Sequence, residues 1–207
     1  MISPADRQPI IVADAGPLIR LAAAGLLDTL RGLNRRIVLV DRVIDEVCGD
    51  RSKPFAPEVA DWLARMGDAI WPAVTAIGAG IEALRDRQRT AEEDAALKAA
   101  LRNSGELAVR EFIDGWLPSH PGAALVVYED RKVASLFIEV DYPLTLVTTR
   151  AFAEIIAAWG VNVDAVAALE TVADRYDLKP ALMAEIDPDV PADLRMMPQP
   201  SAPKERP

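Results

Sequence analysis

Four carboxylates, Asp14, Glu46, Glu106 and Asp130, each fall near a point where a strand is expected to end or a helix to begin. Carboxylates far apart in a chain but gathered at one edge of a parallel sheet form an oxygen-ligand site for a divalent cation. Such a site performs hydrolysis or transfer at phosphate. Mg²⁺ and Mn²⁺ take oxygen ligands in octahedral geometry and keep some of their waters. One or two carboxylates hold the ion directly, and the others orient those waters. Without a cation, clustered like charges raise one another's pKa values. Each acid alone has a plainer role, since Asp14 and Asp130 can cap the helices that follow them. Capping explains the joint pattern less well.

The elements that must position these acids read as an alternation of strand and helix. Ile10 to Ala13 is a short apolar run that Asp14-Ala15-Gly16-Pro17 stops abruptly, which puts Asp14 at the C-terminal end of a buried strand. Pro17 suits a first helical turn, and Leu18, Leu21, Ala22, Leu26, Leu27 and Leu30 continue at helical spacing. Ile37 to Val40 is a second β-branched run, with Asp41 as the expected N-cap of a short helix carrying Glu46. Pro54 and Pro57 introduce a helix with Val59, Trp62, Leu63 and Met66 on one face, and residues 70 to 77 read as an edge strand. Residues 80 to 102 predict one long helix with a solvated charged face, broken by Ser104-Gly105, after which Glu106 opens another. Ala124 to Tyr128 is a third strand ended by Glu129-Asp130, which gives Asp130 the same kind of position as Asp14. Leu144 to Val147 is a fourth, closed by Thr148-Thr149 and followed by a helix with Phe152, Ile155, Ile156 and Trp159. A last helix runs from Val163 to about Tyr176 with Asn162 as cap. The alternation implies an α/β sandwich around a parallel sheet of about four to five strands.

Composition narrows the functional class. The chain has 207 residues, enough for one domain with a substantial core and a tail. No apolar run is long enough to span a bilayer and residues 1 to 9 lack an apolar signal core, so no membrane role and a cytoplasmic location are expected. Cys48 is the only cysteine, which excludes an intramolecular disulfide and a cysteine cage for metal. A net charge of -9 disfavours broad phosphate neutralisation but not a nuclease, whose carboxylates supply part of that charge. Six prolines between Pro188 and Pro207 mark a tail that cannot bury enough apolar surface to order itself alone. His120, alone between two loop prolines, and Cys48 are read as structural.

Four segments together carry a family resemblance: Val12-Ala13-Asp14-Ala15-Gly16-Pro17-Leu18-Ile19, Val43-Ile44-Asp45-Glu46-Val47, Gly105-Glu106 and Val126-Val127-Tyr128-Glu129-Asp130-Arg131. In order and spacing this resembles the successive acidic motifs of PIN-domain nucleases, above all the VapC-like toxins of bacterial toxin-antitoxin systems. The resemblance covers about residues 10 to 160. It implies a PIN-like three-layer α/β/α sandwich over 10–160, preceded by an extension over 1–9. A helical extension over 161–187 and a Pro-rich tail over 188–207 follow. It implies a metal-dependent endoribonuclease in which Asp14, Glu46, Glu106 and Asp130 bind Mg²⁺ or Mn²⁺. Asp14 and Asp130 would be direct or nearly direct ligands, and Glu46 and Glu106 would complete the shell and hold or deprotonate the attacking water. An antitoxin partner and a homodimer belong to the same expectation.

The chain departs from the family pattern at Tyr128-Glu129, where Thr, Ser or a second Asp often precedes the last acid, and at Thr148-Thr149-Arg150, where Gly-Thr is common. Thr149 can bond a ligand carboxylate or phosphate and Arg150 can reach phosphate, but a helix cap and a surface charge are the favoured roles. The competing function is an inactive PIN-like scaffold whose acids serve as caps and whose tail binds a partner. A receiver or haloacid-type phosphatase ranks lower, because Asp14-Ala15-Gly16 offers neither adjacent acids nor Asp-x-Asp.

Overall fold

A computed structural model of the chain describes residues 9–85, 89–120, 124–137 and 144–176. The order is β1 (Ile10–Ala13), α1 (Ala15–Ala23), α2 (Thr29–Gly32), β2 (Arg36–Val40), α3 (Asp41–Cys48), α4 (Ala56–Met66), β3 (Ile70–Ala73) and α5 (Ala76–Arg85). Then follow α6 (Ala91–Leu101), α7 (Ser104–Trp116), β4 (Ala124–Tyr128), α8 (Arg131–Leu136), β5 (Leu144–Thr148), α9 (Thr149–Ala158) and α10 (Ala165–Tyr176).

The five strands form one sheet in the order β3-β2-β1-β4-β5, and every pairing is parallel. Parallel strands covered on both faces should be continuously apolar rather than alternating. Ile-Ile-Val-Ala in β1 is buried at every position, as are the last four residues of β2. Helices flank the sheet and make a three-layer α/β/α sandwich. Helix α1 packs against α3, α4, α9 and α10, while α7 packs against α5, α8 and β2. Trp62, Phe152, Leu18, Leu21, Ile113 and Ile156 are among the largest side chains wholly withdrawn from water.

Strand order reverses between β1 and β4, whose register pairs Ile10 with Ala124 and Ala13 with Val127. In open α/β sheets the crevice for ligands opens beyond the carboxyl ends of the strands at such a reversal. Asp14 follows β1 directly, and Asp130 follows β4 by two residues.

Several boundaries differ from the expectation. The single helix expected over 80–102 is not formed, because Thr90 starts a separate helix, α6, with a reciprocal cap. The Glu93 amide donates to Thr90 Oγ1 (3.2 Å) and the Thr90 amide to Glu93 Oε2 (2.9 Å). Arg89 closes the preceding helix by donating to the carbonyls of Leu84 and Arg85 (2.7 and 2.8 Å), and it also pairs with Asp94 (2.6 Å). Asp41 is the first residue of α3 rather than its cap, with its carboxylate turned to Thr75. Helix α7 begins at Ser104, two residues before Glu106, and β3 ends at Ala73 rather than 77. Helix α10 occupies part of the expected extension. The Pro-rich tail and residues 1–8 lie outside the described residues.

Candidate active site

Asp14 is set by the sheet. Its amide donates to the carbonyl of Val127 at 3.0 Å, continuing the β1–β4 pairing one residue past the last strand position. The residue sits at the N-cap position of α1 with extended backbone but makes no side-chain capping bond. It is 7 % exposed. Burial is the main cause that pushes its carboxyl up from 3.8 to about 7. The Ala15 amide works against this, and the charges of Glu106, Glu46 and Asp130 add to it. A carboxylate acting simply as a helix cap gains hydrogen bonds to its charged form and titrates low. Asp14 does the opposite.

Gly105 shows how Glu46 reaches it. A methyl at Gly105 would stand 3.0 Å from Glu46 Oε2 and 3.7 Å from Asp14 Oδ1. Those two oxygens are therefore separated by no more than the sum of these distances. A side chain at 105 would fill the space between them, so the glycine is what lets the first turn of α7 approach α3. Glu46 lies at the exposed rim, yet partial desolvation and then the charge of Glu106 raise its pKa, against the pull of Lys53 and Arg42. Glu106, in the first turn of α7, is half-buried. Asp130 is exposed, beyond the end of β4.

The other three acids thus fall within electrostatic reach of Asp14. Among the described residues, no three His, Cys, Asp or Glu side chains are drawn together tightly enough to ligate one ion as they stand. The donor set is all hard carboxylate oxygen, which suits Mg²⁺ or Mn²⁺. A buried carboxyl that titrates near 7 amid three other acids is stabilised as an anion when a cation sits beside it. The residues fit such an ion in donor chemistry and charge.

Beside Glu46 and Glu106 lies a cleft of about 680 Å³. Asp45, Asp50, Arg42, Lys53, Arg85 and Arg102 also line it, so four cations stand next to two of the acids in an otherwise acidic chain. The ε-amino group of Lys53 donates to the carbonyl of Glu46 at 2.9 Å.

Thr149 and Arg150 part company. The cap of α9 is Thr148, whose hydroxyl accepts from the Ala151 amide (3.2 Å), so Thr149 is not the capping residue. Thr149 is 1 % exposed; burial raises the pKa of the neighbouring Glu129 carboxyl above its ordinary value, and the Thr149 hydroxyl and Arg20 only partly oppose this. Arg150 pairs with Glu154 (3.2 Å) and Glu170 (3.3 Å), tying α9 to α10. His120 stacks on Trp116 with ring centroids 4.6 Å apart, and Cys48 is half-buried. Comparison with protein-family models, with curated proteins and with solved structures gives no match.

Two groups went unsingled in the sequence. Glu129, noted only as a departure, forms an ion pair with Arg20 (3.0 Å), and its side chain packs so closely on Gly16 that a methyl there would meet its Cβ and Cγ at 2.9 Å. The cue was a glycine two residues after one strand-end acid and an extra acid beside the other. Arg42 and Asp45, which precede Glu46 on the same helix, join α3 to α7 and α5.

Proposed function

We propose that this chain is a metal-dependent phosphodiesterase of the PIN-domain type, cleaving RNA. The observation that carries this reading is the insertion of Gly105 between Glu46 and Asp14, with Asp14 pushed up to about 7 by burial and three acidic neighbours. Capping does not call for that convergence. A divalent cation there, Mg²⁺ or Mn²⁺, would supply charge neutralisation at the phosphate and a more acidic bound water.

The protein's part in this reading follows from its own groups. Asp14 and Asp130, from adjoining strand ends, would hold the ion. Glu46 and Glu106 would hold the attacking water; burial and then the charge of Glu106 raise the pKa of Glu46, which makes its carboxylate a stronger base for the water's proton. Lys53 and Arg102 in the adjoining cleft position the polyanionic strand for in-line attack. RNA as the substrate, a cognate antitoxin and a homodimer come from the resemblance of the acidic motifs. The strand order, with two acids at its reversal, agrees with a phosphate-handling crevice. Among the described residues no helix is long and apolar enough to cross a membrane.

The test is cleavage of a labelled single-stranded RNA by the purified chain in Mg²⁺ or Mn²⁺, with EDTA and with Asp14→Asn as controls. Cleavage that EDTA and the variant both abolish supports the reading. Cleavage that persists in EDTA overturns the metal-dependent reading, and no cleavage under any condition leaves the competing role of an inactive scaffold.

A further inference from the structure

We propose that Arg42, acting through Ser104, is the positioning residue that sets how closely the Glu106 turn approaches Glu46; this rests on the metal-site reading above. Arg42 belongs to the first turn of α3, is 4 % exposed, and sits inside the junction of three helices. Its Nε donates to Ser104 Oγ at 3.2 Å and its Nη1 to Asp45 Oδ2 at 2.7 Å. Ser104 is the first residue of α7 and 2 % exposed; its hydroxyl donates onward to the carbonyl of Leu101 at the end of α6 (3.1 Å). The same Asp45 oxygen accepts from Arg85 of α5 at 2.8 Å. One planar guanidinium therefore spans from Asp45, next to Glu46, to Ser104, two residues before Glu106.

A buried arginine of this kind is weak evidence for stability, since apolar residues of similar volume often serve a core equally well. It does give directional register, which packing alone lacks. Register is what this junction needs. Glu106 acts on Glu46 as a like charge, while Gly105, one residue before Glu106, lies close against Glu46 Oε2 and Asp14 Oδ1, so the first turn of α7 has to be held in place against like-charge repulsion. The Arg42–Ser104 bond opposes it. Arg42 touches neither substrate nor ion in this account, and acts through the turn it holds.

The test uses the full chain with Arg42→Lys, Ser104→Ala, Ser104→Thr, the double variant Arg42→Lys/Ser104→Ala, and Thr90→Ala as a control that loosens α6 elsewhere. Mn²⁺ affinity is read by calorimetry. Hydrogen exchange of the Leu107 amide, which donates to the carbonyl of Asn103 (3.1 Å), is followed in EDTA. Arg42→Lys keeps the charge but loses the fork, and Ser104→Ala removes only the hydroxyl. Each is expected to weaken Mn²⁺ binding roughly 10-fold or more. The double variant should lose less affinity than the two singles added together, because both remove the shared Arg42–Ser104 bond. Ser104→Thr should restore affinity, and Thr90→Ala should leave it unchanged despite lowering the melting point. Unchanged affinity in Arg42→Lys and Ser104→Ala overturns the proposal, as does equal weakening in Thr90→Ala. If the parent binds no Mn²⁺, the metal reading falls and exchange alone decides. Faster Leu107 exchange in Ser104→Ala then supports the positioning role, and unchanged exchange overturns it.

Discussion

Gly105 stands so close to Glu46 that a single added carbon would lie 3.0 Å from the Glu46 carboxylate. Gly105 does not carry a left-handed backbone, so the glycine answers to space rather than to φ. Gly105→Ala should therefore leave the fold intact or firm up α7 by up to about 1 kcal/mol, since alanine is the better helix former. It should also displace Glu46 and weaken Mn²⁺ binding roughly 10-fold. Paired denaturation and metal titrations check this, and a variant that is both as stable and as tight as the parent contradicts it.

Asp14 makes the metal-free protein sensitive to pH in a defined direction. Its carboxyl is raised from 3.8 to about 7 in the fold, so the folded state resists ionisation that the unfolded chain accepts. Its contribution to stability is then fully present at low pH and is lost as pH rises toward 7, on the order of 4 kcal/mol at about 1.36 kcal/mol per pKa unit. Glu46, also raised, adds in the same sense. Urea midpoints in EDTA at about pH 5 and about pH 8 should show a drop for the parent, much reduced in Asp14→Asn. An equal drop in both proteins would sink the assignment.

Legibility from sequence followed the range of the interactions. Apolar β-branched runs reported the strands and their ends, because both faces of a parallel sheet are buried, and so Asp14 and Asp130 could be placed from Ile10 to Ala13 and Ala124 to Tyr128 alone. Strand order could not be read, since pairing is a tertiary matter. The split at Thr90 was written in Thr90-Ala91-Glu92-Glu93 but masked by the helix-favouring residues on either side. Arg42 and Ser104 lie 62 residues apart, and no local pattern could have linked them. Glu129 looked like a departure until Gly16 and Arg20 were seen against it.

Asp41 accepts from the Thr75 amide (3.0 Å), the Thr75 hydroxyl (2.8 Å) and the Arg42 amide (2.8 Å), which locks the start of α3 to the start of α5. A methyl at Gly78 would collide with that carboxylate. Gly78→Ala should break the lock and cost about 1 to 3 kcal/mol, despite alanine's helix propensity. Thermal denaturation is the measure, and a stabilised variant would show that the carboxylate can move aside without loss.

The cations of the cleft should govern salt dependence. Arg102→Glu and Lys53→Glu, each made in the Asp14→Asn background and tested on single-stranded RNA, should each lower affinity. Each lost phosphate contact should also shallow the slope of log affinity against log salt by roughly 0.7. Arg150→Glu, whose side chain pairs with Glu154 and Glu170, should leave the slope unchanged. Equal effects from all three would mean that general charge, rather than the cleft, draws the RNA.

The central claim is that these acids, brought together from distant parts of the chain, hold one divalent ion. Mn²⁺ titrated into the parent and into Asp14→Asn, with thermal midpoints followed at about pH 7.5, tests it most directly. The parent's midpoint should rise with Mn²⁺ and saturate, while that of Asp14→Asn stays flat. No rise in the parent, or an equal rise in both proteins, would contradict the account.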